Sequence, residues 1–448
     1  MFSTIRHTSR LIIQRKFQPT RSVYVEKEKP GANIPLPVFQ YPISRPGDRR
    51  VYVWGLADHG GLGTLGKVKK SSDDFNYIPK PSRLWFGENH KVTHIACGYG
   101  FTVFGVDDGN NDKNIVYGNG INTDSQLGFD DKDLKHYKND IIPVSRPIPL
   151  PLKNTNTKVI SIAAGRAHLL ILTTEGLFTL GNNGYGQCGR PIIQNEDYNH
   201  SHVIHHIPDI KGTKITKVFA GQDHSMLLNE NGEVYSFGWG ADGQTGLAHY
   251  KNEYVPSLVK GDLSGERIIK VACAADCVLA LSEKGKVYGW GNAEYGQLPV
   301  QGDNRQINIA TEIEDCADLG HVVDIASGGS YCMMLTKEGD VYVWGFGILG
   351  LGPKVDKITV PTKIPNTLFG KNPYQPNVKV AQIYSGMNSM AAVTSSGDLY
   401  AWGNNKFGNL GIGSCLDQFF PLKVAVGAQV QNVAYGPDHT VTICKPFI

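Results

Sequence analysis

A strand motif that returns seven times along the chain constrains the fold more than any other feature of the sequence. Each copy is a short apolar strand with an aromatic residue and a closing glycine, as in Val51-Tyr-Val-Trp-Gly55. The seven copies begin at residues 51, 116, 177, 234, 287, 341 and 399. A second motif, an apolar strand that runs into a small residue, begins at 95, 162, 218, 271, 325, 383 and 433. Repetition at this period is typical of propellers and solenoids.

The spacing of the two motifs indicates that the repeat array closes on itself. From the start of each second motif to the next first motif the interval is 21, 15, 16, 16, 16 and 16 residues. The last second motif begins at Val433, so its partner would begin near residue 449, after Ile448. The strand at 51–55 can take that place. The sequence therefore predicts an all-β fold, a seven-bladed β-propeller closed by pairing of the N-terminal strand with the C-terminal blade, which removes the unpaired edge of an open array.

Residue types within the repeat predict where each strand lies in its blade. The small residues of the second motif suit the crowded inner strand, and the aromatic residues of the first motif suit the wider gap between blades. Prolines such as Pro256 and Pro421 suit the outer strand, because an edge tolerates a missing N–H. We predict that the following residues are structural parts of the repeat: Trp54, Gly55, Gly98, Gly165, His168, Gly221, His224, Trp290, Gly291, Trp344, Gly345, Trp402, Gly403 and His439.

The first 25 residues have the composition of a mitochondrial presequence. They contain five basic residues, several hydroxyl residues and no Asp or Glu. Such a segment can form an amphipathic, basic helix that import receptors bind, although a disordered basic arm has the same composition. We therefore expect a presequence at 1–25, a linker at 26–50 and the propeller at 51–448, with the mature protein in the mitochondrial matrix or at the periphery of the inner membrane.

The net charge argues against binding of nucleic acid over the whole surface. The chain has 44 Lys and Arg against 41 Asp and Glu, and without the first 25 residues the balance is 39 against 41. A protein that neutralises many phosphates needs clustered Lys or Arg, so any RNA contact would have to come from a local patch. The apolar runs are all too short to cross a bilayer, which limits membrane association to the peripheral kind.

The repeat resembles that of the regulator-of-chromosome-condensation family. The similarity lies in the composite pattern of an apolar residue, alanine, a small residue, glycine and a following histidine, then the aromatic strand and a Gly-Gln turn, as at 162–189. It covers about residues 51–448. The family histidine is present at His168, His224 and His439 and is replaced by Phe101, Cys277, Tyr331 and Ser389 in the other blades. A ring of seven catalytic histidines is therefore excluded.

Together with the presequence, the resemblance points to the mitochondrial branch of the family. It implies a non-catalytic binding protein, and first a guanine-nucleotide-exchange-factor-like partner of the dynamin-like GTPase of inner-membrane fusion. The alternative that it implies is a factor for ribosome biogenesis that supports maturation of the large-subunit ribosomal RNA together with assembly factors. The resemblance gives no cofactor.

The remaining candidate sites are weak by their residue chemistry. The segment 199–206 has four histidines, but Asp209 is the one nearby carboxylate or thiol, so we predict no metal site there. The eight cysteines form no Cys-x-x-Cys pair, and nothing converges into a catalytic set. An acidic insertion in the first blade is either a contact loop or a tolerated surface insertion. Its candidate interface residues are Asp107, Asp108, Asn111, Asp112 and Lys113.

Overall fold

A computed structural model describes residues 49–64, 69–70, 76–109, 114–128, 140–298 and 305–446. The predicted presequence, 1–25, and all but the end of the predicted linker lie outside these residues. Seven antiparallel sheets form the described part of the chain, six with four strands and one with five. The predicted seven-bladed β-propeller is confirmed.

The strands follow the repeat in chain order. Before the first complete blade come β1 (Arg50–Leu56), β2 (Lys69–Lys70), β3 (Asn76–Arg83) and the short helix α1 (Phe86–Asn89). Blade 1 contains β4 (Val92–Cys97), β5 (Phe101–Val106), β6 (Val116–Ile121) and β7 (Ile141–Pro147). Blade 2 contains β8 (Val159–Ala164), β9 (His168–Thr173), β10 (Gly176–Gly181) and β11 (His205–Ile207). Blade 3 contains β12 (Ile215–Ala220), β13 (His224–Asn229), β14 (Val234–Gly238) and β15 (Glu253–Leu258).

The second half of the chain repeats the same plan. Blade 4 contains β16 (Ile268–Ala272), β17 (Cys277–Ser282), β18 (Val287–Asn292) and β19 (Gln306–Glu312). Blade 5 contains β20 (Val322–Ser327), β21 (Tyr331–Thr336), β22 (Val341–Phe346) and β23 (Lys357–Lys363), and blade 6 contains β24 (Val380–Ser385), β25 (Ser389–Thr394), β26 (Leu399–Gly403) and β27 (Gln418–Lys423). Two 3₁₀ helices, Glu314–Leu319 and Asn366–Phe369, connect blades. Among the described residues no helix is long enough to be a candidate for crossing a bilayer.

Blade 7 joins the two ends of the chain, as the missing strand predicted. Its C-terminal strands are β28 (Ala428–Tyr435) and β29 (His439–Pro446), and β29 pairs with β1, which pairs with β3 and then β2. In this blade Gly55 lies opposite His439. Gly181 lies opposite His168 in the same way in blade 2. The closing pair therefore has the register of the covalently continuous blades, which confirms the closure.

Large aromatic side chains fill the gaps between neighbouring blades. Trp54, Trp290, Trp344 and Trp402 are at most 2% exposed. The indole of Trp54 in blade 7 donates to the carbonyl of Asn409 in blade 6 at 2.8 Å, and Trp290 in blade 4 donates to the carbonyl of Gln244 in blade 3 at 2.9 Å. All four bury apolar area, and Trp54, Trp290 and Trp344 also satisfy a loop carbonyl of the preceding blade. The position predicted for these aromatic residues is confirmed.

Glycine closes the third strand of each blade for a steric reason. Gly55 has φ of 112°, and a Cβ placed on it would lie 2.5 Å from the carbonyl oxygen of Asp438. Both the backbone conformation and the close approach of the next strand exclude other residues. After this glycine the chain enters the connection between the third and fourth strands of the blade.

Candidate functional site

One face of the propeller carries two sets of connections from every blade. The first set is the turns between the first and second strands, at 98–100, 165–167, 221–223, 273–276, 328–330, 386–388 and 436–438. The second is the five residues after each third-strand glycine, at 56–60, 121–125, 182–186, 239–243, 292–296, 346–350 and 404–408. Because consecutive strands are antiparallel, both sets lie at the same end of each sheet. We call these residues the turn face.

The first residue of each second strand points into the gap toward the next blade and sits on the turn before it. In blade 2 this residue is His168, and a Cβ on Gly165 would lie 2.2 Å from its Cε1 atom. The same glycine precedes Phe101, His224, Tyr331, Ser389 and His439. Blade 4 has Ala274 there, where the partner is the smaller Cys277. Except in blade 6, where Gly386 precedes Ser389, the turn residue thus matches the size of the side chain that covers it.

His168 is a neutral histidine that joins blades 2 and 3. Its Nε2 lies 3.1 Å from Ser225 Oγ, and that hydroxyl donates to the carbonyl of Gln187 at 2.8 Å. The single hydroxyl proton is used, so Nε2–H donates to Ser225. Nδ1 has no hydrogen-bond partner. Burial, with the nearby positive groups, lowers the pKa of His168 to about 3.

His224 is also neutral, but unlike His168 it has no hydrogen-bond partner. The residue that corresponds to Ser225 in the next blade is Val278, and neither ring nitrogen of His224 makes a hydrogen bond. Its Nδ1 lies 3.9 Å from Asp276 Oδ1, too far for one. The ring is fully buried, and burial lowers the pKa of His224 to about 3.

His439 has the opposite charge state, because both of its ring nitrogens face acceptors. Its Nε2 lies 2.8 Å from the hydroxyl of Thr102 in blade 1, which itself donates to the carbonyl of Gly61. Its Nδ1 lies 2.8 Å from Asp438 Oδ1. Both nitrogens therefore carry protons, and the ring is an imidazolium. Burial opposes this charge, but the Cys97 thiol and the Asp438 carboxylate outweigh it and raise the pKa of His439 to about 10.

These contacts correct one expectation about the histidines. A histidine repeated at one position of several blades is expected to bond within its own blade, as His439 does to Asp438, but His168 and His439 also bond to side chains of the next blade. The bonds cross between blades because the first residue of the second strand in one blade lies beside the second residue of the second strand in the next blade. His168 and His439 therefore join neighbouring blades.

The turn face is acidic and aromatic. Its carboxylates are Asp58, Asp124, Asp223, Asp242, Asp276, Glu294 and Asp438, and its Lys and Arg residues are Arg166 and Lys406. Aromatic pairs bridge neighbouring blades at its outer ring. The rings of Tyr185 and Trp239 are 4.5 Å apart, and those of Tyr295 and Phe346 are 5.9 Å apart. Tyr295 and Phe346 are 39% and 41% exposed, so this surface is open to a partner.

We call the turns between the first and second strands the inner turns. In two blades, a carboxylate of the inner turn is paired with a cation. In blade 3, Asp223 forms a two-point ion pair with Arg166, with Nη2–Oδ2 of 2.6 Å and Nε–Oδ1 of 3.2 Å. In blade 7, Asp438 accepts from His439 and from His59 Nδ1 at 3.0 Å. Burial raises the pKa of Asp438, but these hydrogen bonds outweigh it and hold the value well below its ordinary range. The inner strands behind these turns surround a central cavity of about 300 Å³.

The acidic insertion predicted as an interface lies on the opposite face, because it connects the second and third strands of blade 1. Asp108 accepts hydrogen bonds from His90 Nδ1 and the Lys91 N–H, both at 2.6 Å. Asp107 lies 3.5 Å from the Lys91 ammonium. These two carboxylates hold the connection between α1 and β4. Asn111, Asp112 and Lys113 lie outside the described residues, and the contact role of this loop stays a prediction.

The histidine-rich segment has a structural part in blade 2. Its last two residues, His205 and His206, begin the outer strand β11. His206 stacks on Phe178 with ring centroids 4.6 Å apart, and its Nε2 lies 2.8 Å from the carbonyl oxygen of Glu175. In the part of the chain that the structure describes, no three His, Cys, Asp or Glu residues are grouped as metal ligands would be.

Fold and surface together define a closed repeat propeller with an acidic and aromatic turn face. A family model described as the RCC1-like domain matches residues 46–372, and models of the regulator of chromosome condensation (RCC1) repeat match 380–409 and 396–443. The chain therefore belongs to the RCC1-like propeller family, as the repeat indicated.

Known proteins similar to this chain share nearly its full length. A mouse protein, "RCC1-like G exchanging factor-like protein", is 44% identical over 94% of this chain and 93% of its own length. The crystal structure of human WBSCR16 has 42% identity and a TM-score of 0.82, and covers 90% of this chain and 100% of that one. The yeast propeller Prp20p, studied for its binding to Gsp1p and histones, has 20% identity and a TM-score of 0.71 over 91% of this chain and 94% of its own. This last similarity concerns the fold alone.

Proposed function

We propose that this protein is a regulator that binds a GTPase through its turn face and promotes guanine-nucleotide exchange, without covalent chemistry of its own. The similarity to relatives named as exchanging-factor-like proteins supports this class of function. The observation that carries the choice of face is charge. The turn face has seven carboxylates and two Lys or Arg side chains; one carboxylate, Glu294, is paired with the adjacent Arg305, and the ring pair of Tyr295 and Phe346 is exposed.

An acidic face is suited to a basic protein surface and unsuited to a nucleic acid. GTPases hold the nucleotide phosphates with a lysine and backbone N–H groups, so their phosphate-binding region is electropositive. Carboxylates brought next to that region offer the lysine another counter-charge and weaken its hold on the phosphates. The aromatic pairs supply the apolar area that makes such an encounter stable. No proton transfer or bond cleavage by the propeller is needed.

The same charge pattern disfavours ribosomal RNA as the partner of this face. On the opposite face, some of the lysines are already paired with carboxylates. Lys286 lies 2.8 Å from Glu312, and Lys423 lies 2.8 Å from Asp398. RNA binding and support of ribosome assembly would require cations free to replace phosphate counterions. We therefore keep this function as the second alternative.

We further propose that the partner is the dynamin-like GTPase of the mitochondrial inner membrane, with the propeller in the matrix or peripherally associated with that membrane. The presequence-like composition of the first 25 residues supports import. Mass spectrometry of the protein from purified mitochondria should show loss of roughly the first 20 to 40 residues. An intact Met1 on the organellar protein would contradict import by a cleaved presequence.

Nucleotide-release kinetics test the exchange function directly. The GTPase is loaded with a fluorescent GDP analogue, and its release is followed with and without the propeller. We expect wild-type protein to accelerate release. The double variant Asp242→Asn, Glu294→Gln should lower the second-order rate constant about tenfold, because charge complementarity acts mainly on association.

A matched pair on the opposite face provides the control. Glu283 and Asp315 are exposed residues of the same blade region, and Glu283→Gln with Asp315→Asn makes the same change in net charge. This control should release nucleotide at the wild-type rate. Strong crosslinks to ribosomal RNA in mitochondria, with no acceleration of nucleotide release by the wild type, would overturn the proposal in favour of RNA.

A further inference from the structure

The inner turns contain three equivalent carboxylates, and only one of them lacks a cation. Asp223, Asp276 and Asp438 each stand immediately before a second strand. Asp223 is paired with Arg166, and Asp438 with His59 and His439. Among the described residues, the side-chain donor to Asp276 is the neutral amide of Gln244, with Nε2 3.0 Å from Oδ1.

The residues that correspond to the missing cation are uncharged in blade 4. Arg166 is the second residue of the turn in blade 2, and the corresponding residue of blade 3, next to Asp276, is Gln222. His59 is the fourth residue after Gly55, and the fourth residue after Gly291 is Tyr295. The chain therefore supplies a cation to two of these carboxylates and replaces both possible sources for the third.

The groups around Asp276 compensate its negative charge poorly. Burial and the neighbouring Asp242 carboxylate raise the pKa of Asp276 to about 6. His224 is completely buried, points Nδ1 at Asp276 from 3.9 Å and has no hydrogen-bond partner. The Tyr99 hydroxyl is likewise buried without a partner, and burial together with Asp276 raises the pKa of Tyr99 to about 12. A carboxylate in this setting lacks the compensation that a buried charge needs.

We propose that Asp276 is a subsite for an ammonium or guanidinium group, filled by a lysine or arginine side chain of a protein partner. The side chain of Asp276 is 25% exposed, so its open oxygen can be reached from the turn face. The Arg166–Asp223 pair shows that a guanidinium fits this position of the repeat. A single ion pair binds weakly, so the cation must be presented by a larger protein surface. The exposed rings of Tyr295 and Phe346 lie on the same face of the propeller. The subsite stands whether or not that partner is a GTPase.

Binding of small probes to the full-length protein tests the subsite without any partner. Nα-acetyl-arginine amide and Nα-acetyl-lysine amide are titrated, with Nα-acetyl-norleucine amide as the uncharged probe. Binding is followed by NMR through the labelled ring of Tyr99. We expect saturable shifts with the two cationic probes, and an affinity at least about fivefold weaker in Asp276→Asn. The control Asp340→Asn removes a carboxylate that already has its cation, Lys363 at 2.6 Å, and should bind like the wild type.

Thermal denaturation separates a ligand site from a structural role. Asparagine keeps the acceptor for Gln244 and removes an uncompensated charge, so Asp276→Asn should raise the melting temperature at pH 7.5. If Asp276 were structural, the variant would melt lower and bind the probes unchanged. Absence of saturable shifts in the wild type, or equal binding by the uncharged probe, would also overturn the proposal.

Discussion

Replacing Val278 with threonine should stabilise the protein, because it supplies the hydroxyl that His224 lacks. Blade 2 has this contact between His168 and Ser225, and blade 7 has it between His439 and Thr102. Val278 is fully buried, and threonine has nearly the same shape. The new hydroxyl would accept from His224 Nε2 and donate to the carbonyl of Gln244.

The carbonyl of Gln244 can accept this second hydrogen bond. Trp290 already donates to it at 2.9 Å. In the gap between blades 6 and 7, the carbonyl of Asn409 accepts from Trp54 and also from Thr440, both at 2.8 Å. Thr440 lies opposite Trp54 in the sheet as Val278 lies opposite Trp290. The chain thus already contains the arrangement that the variant would create.

The size of the effect follows from three contributions. Satisfying a buried donor of His224 recovers about 1–3 kcal/mol, and the bond to Gln244 adds about 1 kcal/mol. Against this, loss of a methyl group and burial of the hydroxyl cost about 1–3 kcal/mol together. We expect a net gain of about 1 kcal/mol, with Val278→Thr unfolding at a higher denaturant concentration.

A double-mutant cycle tests the reason for the gain. His224→Phe removes both ring nitrogens, and Val278→Thr placed in that background should destabilise, because its hydroxyl then loses one partner. Urea unfolding of the four proteins gives the coupling energy. Ser225→Ala is the converse control, and should destabilise by about 1–2 kcal/mol by leaving His168 without its partner. A Val278→Thr variant less stable than the wild type by more than about 1 kcal/mol would refute the argument.

Three further predictions concern the turns and the seam. Asp438→Asn should destabilise by about 3 kcal/mol near pH 6 by breaking a buried pair, as measured by chemical unfolding. The pKa of His439 is raised from 6.5 to about 10, and that of Asp438 is lowered from 3.8. The stability advantage of the wild type over the variant should therefore fade as pH rises above 6.5 and as it falls below 3.8. Equal pH profiles of stability for the two proteins would contradict the ion pair. Gly165→Ala should cost at least about 2 kcal/mol, since its Cβ would meet the His168 ring at 2.2 Å, and an unchanged melting temperature would disprove the fit. Deleting residues 45–60 should abolish soluble folding by removing the third strand of the last blade, and a folded product of unchanged melting temperature would show that the closure is dispensable.

Most of the fold followed from spacing, because a blade forces the same residue types to recur at the same intervals. The Val433 motif without a following partner was enough to predict pairing with strand 51–55. Glycines such as Gly55 could be assigned to the repeat because the turn permits no Cβ. The extra strand β2 of blade 7 had no such signal, since two residues outside the repeat carry no periodicity.

The site was harder to predict, because contacts between blades depend on residues about 57 positions apart. The sequence shows His168, His224 and His439 as one repeated residue, and their different partners lie in the next blade. The excess of carboxylates over cations on one face was also hidden in a near-neutral composition. The order of strands in a blade assigns each loop to one face of the propeller. Counting charges loop by loop for each face would therefore have revealed the excess of carboxylates.

The three histidines show how the neighbours of one repeated side chain decide its charge. His168 follows Ala167 and has one acceptor, so burial keeps it neutral, whereas His439 follows Asp438 and has two acceptors. The charged histidine begins β29 of blade 7, the strand whose pairing with β1 is the seam where the two ends of the chain meet. A buried ion pair holds its partners by direction as well as by attraction, and misalignment there leaves charges uncompensated. The seam should therefore lose stability as pH rises above 6.5, while the contact through His168, whose ring stays neutral in the folded protein, should lose stability only as pH falls below 6.5, where the unfolded chain binds a proton that the folded ring does not.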